Sequence, residues 1–182
     1  MSGQVTHRTA RAGDNIFLRT VGAISTLAGW ISAAMIVVAV GITCQMIFVR
    51  AVLNQSTIWQ TEMVIYLMIA ATLLGLPYVQ RLRGHVNVDL VPIALPPRAR
   101  YALAVFTLGV SAAVVAVMLW YGFDFWHFAW DRGWRSETVW GVRLWIPYMA
   151  LPAGFGLLLL QLIADLVALI LRVDAPFGLE GS

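Results

Sequence analysis

The chain has 182 residues, of which 60% are hydrophobic and 12% are charged, and its mean hydropathy is +0.81. Soluble domains usually carry about 25% charged residues. This chain therefore lacks the residues that would cover a soluble surface, and we predict an integral membrane protein. Its net charge of +3 comes from arginines scattered at the ends of apolar runs, a pattern that favours membrane anchoring over nucleic-acid binding.

Four apolar segments are each long enough to cross a hydrocarbon core of about 30 Å, which needs roughly 20 residues. The first is too long for the apolar part of a signal peptide, so we expect it to be retained after a flexible N-terminus, 1–14. In lipid every backbone N–H and C=O must be bonded within its segment, which predicts one all-α membrane domain over 15–172 and a flexible end at 173–182. The predicted spans are 20–49, 59–79, 101–128 and 144–171.

The arginines outside the spans predict the orientation. With both termini in the cytoplasm, eight of the 12 arginines lie on the cytoplasmic side and four on the outer side, as the positive-inside rule favours. Six tryptophans lie at or near the outer ends of spans two, three and four, which is typical of an aromatic belt. They are Trp59, Trp126, Trp130, Trp134, Trp140 and Trp145.

The connection between spans two and three reads QRLRGHVNVDLVPIALPPRAR, and we expect part of it to form a short interfacial helix on the membrane surface. Its His85 and Asp89 are four residues apart, a spacing that suits a metal site or a base with its orienting carboxylate. A metal site needs three or four ligands, however, and His7 and His127 lie in the N-terminal tail and on the opposite side of the membrane. We therefore favour a structural turn or a subunit contact, and we predict no catalytic residue, metal site, haem or other cofactor.

Few charges lie within the spans, although a chain that moves a polar substrate by itself is expected to carry an ionisable group near the midplane. For Glu62, in the first turn of span two, we favour a structural ion pair with Arg50 over a proton or ion site. Asp165, near the inner end of span four, is expected to snorkel or to face another subunit. Small residues in spans one and three predict faces that pack closely on helices: Gly22, Ala28, Gly29, Gly109, Ala112 and Ala113.

The outer loop DFWHFAWDRGWRSETVWGVRLW carries tryptophans every four residues, at Trp126, Trp130 and Trp134, and an i,i+4 pair, Asp131 and Arg135. This spacing predicts that span three continues into an amphipathic helix. One interpretation of the loop is a simple interfacial belt. The other is a docking surface for a second protein, formed by the three tryptophans and Arg135, since Trp and Arg often anchor interfaces.

Three stretches resemble the small membrane subunits of tripartite ATP-independent periplasmic (TRAP) transporters, the DctQ family. The run MIFVRAVLNQSTIWQTEMVIYL is similar to the family's junction between helices one and two, LLGLPYVQRLRGHVNVDLV to its helix two and basic turn, and WGVRLWIPYMALPAGFGLLLL to its fourth helix. The sequence departs from the family at Thr61, where an acidic residue is common, and at Arg143, where proline is common. The residues that this resemblance marks as structural or as subunit contacts are Arg50, Asn54, Trp59, Glu62, Gly75, Arg83, His85 and Asp89.

The resemblance implies a scaffold and not an enzyme. In these systems a periplasmic binding protein of DctP type captures an organic acid, such as a C4-dicarboxylate or a sialic acid, and a large permease subunit of DctM type carries it inward with the sodium gradient. The small subunit would support the large one in the bacterial inner membrane, with the substrate and ion sites elsewhere. Two alternatives stay open: a self-sufficient small transporter, which needs an essential membrane carboxylate, and the membrane anchor of a redox enzyme, which needs haem or quinone ligands.

Overall fold

The structure, a computed structural model, describes residues 16–82 and 96–171. Within these ranges the chain forms helices α1 (Ile16–Leu53), α2 (Ile58–Arg81), α3 (Pro97–Asp131), α4 (Trp145–Tyr148) and α5 (Ala150–Ile170). Because α5 follows α4 after a single residue, Met149, the two together make the fourth span, Trp145–Ile170. Four helices of the described chain are thus long and apolar enough to cross a membrane, which confirms the predicted all-α membrane fold.

The first and third helices extend beyond the spans predicted for them. Helix α1 has 38 residues and α3 has 35, so at 1.5 Å per residue they are about 57 and 53 Å long. Both lengths exceed the roughly 30 Å of a hydrocarbon core. These helices therefore tilt in the membrane or project beyond it, and hydropathy marks only their apolar middle. The orientation inferred from the arginines stays a prediction.

The helices pack as a row and not as a closed bundle. Helix α1 packs on α2, α2 packs on α5, and α5 packs on α3, while α1 also touches α5. Helix α3 packs mainly on α5 and the short α4, so most of its circumference is uncovered. The apolar side chains that α3 exposes include Phe106, Val114 and Trp120.

Glycines allow two of these helix crossings to be close. A Cβ added at Gly154 of α5 would lie 2.7 Å from Cβ and 2.8 Å from the carbonyl oxygen of Leu73 on α2. A Cβ added at Gly29 of α1 would clash with the Tyr78 ring. The prediction that small residues of the first span pack closely on another helix therefore holds at Gly29. Gly109 of α3, by contrast, has nothing within 4 Å.

A polar network joins three helices at the end of the bundle where α2 ends. Ser25 on α1 donates a hydrogen bond to Oε1 of Gln161 on α5 (2.7 Å), and Gln161 Nε2 donates to Oδ1 of Asp165 (2.9 Å). Gln80 on α2 donates to the second oxygen, Oδ2, of the same carboxylate (3.1 Å). The expectation that Asp165 snorkels or faces another subunit is therefore wrong. It faces α2, because two amide donors lie within reach inside the chain.

Candidate docking surface at the tryptophan-rich end

The predicted belt tryptophans meet at one end of the bundle. The rings of Trp126 and Trp130 lie 5.9 Å apart on α3, and Trp130 packs edge-on against Trp145 of α4 at 4.5 Å. The indole N–H of Trp126 donates to the carbonyl oxygen of Trp145 (3.1 Å). On the α2 side, Trp59 packs against Trp140, with ring centroids 6.4 Å apart. Aromatic contacts thus join α3 to α4 at this end of the bundle, and join α2 to Trp140 in the segment between α3 and α4.

Helix α3 ends at Asp131, so the tryptophan repeat does not continue on one helical face. Gly133 adopts φ +58 and its N–H bonds to the carbonyl of Trp130 (3.1 Å), while the N–H of Trp134 bonds to the carbonyl of Ala129 (3.1 Å). This hydrogen-bond pair is the Schellman motif, which terminates helices at a left-handed glycine. The prediction of a continuing amphipathic helix through Trp134 is therefore wrong.

Trp134 instead turns back onto the other side of α3. Its ring makes edge contacts with Phe125 and Phe128, at centroid distances of 6.2 and 5.1 Å. Trp130 is 51% exposed and Trp134 is 37% exposed. The three predicted docking tryptophans thus form two separate aromatic clusters, one around Trp126 and Trp130 and one around Trp134.

The predicted i,i+4 pair of Asp131 and Arg135 is also not formed, because Arg135 lies beyond the end of the helix. Arg135 pairs with Arg143 in an antiparallel β-bridge. Asp131 instead contacts Nδ1 of His127, one turn earlier on α3, at 3.1 Å. Both of these side chains are more than half exposed, so the contact contributes little to stability.

The segment Trp134–Leu144, which we name the outer hairpin, was missed at the level of sequence. Its strands are joined by hydrogen bonds from Ser136 N–H to the carbonyl of Val142 (2.9 Å) and from Leu144 N–H to the carbonyl of Trp134 (2.9 Å). Gly141, with φ +60, donates to the carbonyl of Thr138 and closes the turn (3.0 Å). The sequence did contain a signal for this turn, since Gly133 and Gly141 flank seven residues of which four are polar.

The outer hairpin is bound to α2 through Glu62. Ser136 donates its hydroxyl proton to Oε1 of Glu62 (2.5 Å), and Ser136 lies 3.1 Å from the hydroxyl of Thr138. The second oxygen of Glu62, Oε2, is buried and has no hydrogen-bond partner among the described residues. The predicted ion pair with Arg50 is not formed in this structure: Arg50 is exposed near the end of α1, and the hairpin supplies the partner of Glu62 instead.

An apolar groove of about 560 Å³ lies beneath the hairpin. Its walls come from α1, α2, the start of the fourth span and the inner side of the hairpin, which contributes Trp140 and Val142. Tyr66, on the wall formed by α2, also interacts with Ser136 and Glu62. The hairpin is therefore packed onto the bundle on its inner side.

The remaining residues that the sequence singled out lie in two places. Asn54 occupies the turn between α1 and α2 with φ +50, and the N–H of the next residue, Gln55, bonds to the carbonyl of Val49 (3.4 Å). Gly75 lies at the crossing of α1 and α2, where an added Cβ would be 3.0 Å from Oγ of Ser32. The predicted sites at Arg83, His85 and Asp89 lie outside the described residues.

The fold and its contacts define a four-span membrane protein whose polar groups mainly join its own helices and its outer hairpin. A sequence profile of the tripartite ATP-independent periplasmic transporters, DctQ component, matches residues 39–172. The chain belongs to this family, and it is the small permease subunit of a TRAP transporter. A comparison with curated proteins found no match.

Proposed function

We propose that the chain is a scaffold for the large, DctM-type permease subunit in sodium-coupled uptake of an organic acid such as a C4-dicarboxylate. A periplasmic binding protein of DctP type would deliver the acid, and the complex would lie in the bacterial inner membrane. The observation that carries the proposal is the uncovered face of α3. In membranes, helix association depends on close packing and on small residues that let backbones approach.

The face of α3 opposite α5 has the composition of a helix interface. Gly109 has nothing within 4 Å, and Ala113 is exposed on the next turn of the same face. Phe106 and Trp120 flank these small residues and are about 70% exposed. A groove of small residues between two large ones accepts the ridge of a neighbouring helix. We therefore assign this face to the large subunit.

Two carboxylates in the described spans, Asp165 and Glu62, favour a scaffold over a self-sufficient transporter. Asp165 accepts hydrogen bonds from Gln80 and Gln161, and Glu62 accepts one from Ser136. A group that binds and releases an ion during transport has to exchange partners with that ion. Both carboxylates instead join parts of this chain to one another, which suits a static role.

The scaffold proposal is tested by co-purification of the two membrane subunits. Gly109→Phe and Ala113→Phe place bulk on the assigned face, and we expect them to reduce recovery of the large subunit by about tenfold, the effect of 1.4 kcal/mol. Val114→Phe is the matched control, because Val114 is exposed on a different flank of α3. Unchanged recovery with both face variants would place the interface elsewhere.

We also propose that the tryptophan-rich end helps to receive the binding protein. Trp130 supports this assignment because it is half exposed and held in place by Trp126 and Trp145. We expect Trp130→Ala to weaken docking of the binding protein without removing the chain from the membrane. Trp30→Ala is the control, since Trp30 is also an exposed tryptophan but lies on α1, away from the tryptophan-rich end. Unchanged docking and uptake in Trp130→Ala would refute this part.

We also propose a role for the connection between α2 and α3. In this proposal it forms a cytoplasmic corner or contacts the large subunit through Arg83, His85 and Asp89. His85→Ala separates these roles from catalysis. A subunit contact predicts less large subunit on co-purification, and a local role predicts a lower melting temperature with normal recovery. Loss of uptake with normal assembly and normal melting would contradict both.

A further inference from the structure

The face of the outer hairpin that points away from the bundle carries two arginines side by side. Arg135 and Arg143 are opposite each other in the β-bridge. The hydrogen bonds of the hairpin run from Ser136 to Val142 and from Leu144 to Trp134, on either side of this pair. Arg135 and Arg143 are therefore a non-hydrogen-bonded pair, in which the Cβ atoms lie about 4.5–5.5 Å apart and the side chains are closest.

The alternation of side chains along a strand sets the direction of the arginines. Ser136 points toward Glu62, and Val142 lines the apolar groove, so this face of the hairpin lies against the bundle. Neighbouring residues of a strand point to opposite faces. Arg135 and Arg143 consequently project away from the bundle, and both are exposed.

No carboxylate of the described residues forms an ion pair with either arginine. Glu137 shares their face by alternation and is exposed, but it makes no ion pair with them. Arg132, by comparison, lies over the Phe128 ring at 4.6 Å. Like charges directly opposite each other destabilise a strand pair. An anion that binds between the two guanidinium groups would reduce this repulsion.

The hairpin holds the backbone of the two arginines in a fixed position. Ser136 is bonded to Glu62, Trp140 packs on Trp59, and the turn is closed through Gly141. A backbone held this way loses little loop entropy on binding, which favours specific recognition of a partner. Arginine also binds carboxylates in a bidentate geometry.

We propose that Arg135 and Arg143 form the docking point for a carboxylate-rich patch on the binding protein of the same transporter. The inference rests on the proposed function, since it names the chemistry by which the tryptophan-rich end receives that partner. The phosphate of an outer-leaflet phospholipid is the other candidate anion. It fits less well, because the arginines point away from the apolar groove that would hold a lipid chain.

The test uses the complex of both membrane subunits in nanodiscs and the binding protein of the same transporter, with docking rates measured at low and high salt. Charges at the rim of an interface act mainly on the association rate. We expect Arg135→Gln with Arg143→Gln to lower the association rate about tenfold at low salt and to flatten its salt dependence. Arg132→Gln, which removes a neighbouring exposed arginine that lies over the Phe128 ring, is the matched control and should leave the rate unchanged.

Glu137→Gln should change the docking rate in the opposite direction. It removes the carboxylate beside the pair, so we expect faster docking, which a merely disturbed hairpin would not produce. Wild-type docking by the double variant, or slower docking in Glu137→Gln, overturns the inference. If the double variant still docks the binding protein but no longer binds phosphatidylglycerol vesicles, the inference is overturned, and the two arginines bind lipid instead. Absence of docking to the wild-type complex would instead refute the proposed function itself.

Discussion

Ser136 and Glu62 are joined by a 2.5 Å hydrogen bond although 74 positions separate them in the chain. The bond ties the outer hairpin to the first turns of α2, and Glu62 Oε2 beside it has no partner among the described residues. Removing the donor therefore leaves a partly buried carboxylate without a hydrogen bond, which costs about 1–3 kcal/mol.

Ser136→Ala should accordingly destabilise the subunit by about 1–3 kcal/mol and loosen the hairpin. Thermal unfolding in detergent measures the first effect, and hydrogen exchange at the hairpin amides measures the second. Glu62→Gln keeps an acceptor for Ser136 and should cost less. A double-mutant cycle of the two changes should show coupling, and additive losses would mean that the bond contributes nothing.

Gly154→Ala should be destabilising by about 1–3 kcal/mol, the usual cost of overpacking. The added methyl would meet Leu73, including its backbone oxygen, at 2.7–2.8 Å, and a backbone atom has little room to move aside. Gly109→Ala is the matched change on α3, where nothing lies within 4 Å, and it should not lower the melting temperature of the isolated subunit, because alanine favours a helix interior more than glycine does. Equal effects at the two positions would contradict the close crossing of α2 and α5.

Asp165→Leu should lower the melting temperature of the isolated subunit, because it removes the acceptor of Gln80 and Gln161. Each hydrogen bond between membrane helices is worth about 0.6 kcal/mol on average and up to about 1.7. Asp165→Asn keeps one carbonyl acceptor and should lose less stability. If Asp165→Asn assembles and melts normally yet abolishes uptake, Asp165 has a role in transport that the static scaffold does not include.

Asn54 should tolerate glycine but not valine. Its φ of +50 is left-handed, a conformation that costs most L-residues about 1–2 kcal/mol and that glycine adopts freely. We therefore expect Asn54→Val to lower stability in thermal unfolding and Asn54→Gly to match the wild type. A valine variant as stable as the glycine variant would show that this turn relaxes out of the left-handed region.

Much of the fold was predictable because its determinants are local. The number of spans follows from apolar length, and the clustering of Trp59, Trp126, Trp130 and Trp145 follows from placing helix ends at one membrane surface. The end of α3 was also readable in principle, since Gly133 followed by Trp134 matches a helix C-terminus with a hydrophobic residue after the glycine. The four-residue tryptophan repeat outweighed that signal and gave the wrong helix end.

The partners of the charged residues were not predictable from nearby sequence. Arg50 was the expected partner of Glu62 because only a short turn separates α1 from α2, yet the partner is Ser136. Asp165 was expected to face lipid headgroups or another subunit, yet it meets Gln80 of α2. Each pairing depends on which helices are neighbours and on how they are rotated, which hydropathy does not encode.

The sequence by itself determined the membrane, the four spans and the family, because hydropathy and residue order act locally along the chain. Only the tertiary structure decided that the helices form a row, with one face of α3 uncovered. It also decided that the outer hairpin turns Ser136 inward and presents Arg135 and Arg143 outward. These outcomes depend on helix rotation and strand pairing, which bring together residues that are far apart in the chain. Such contacts produce no periodic pattern in the sequence.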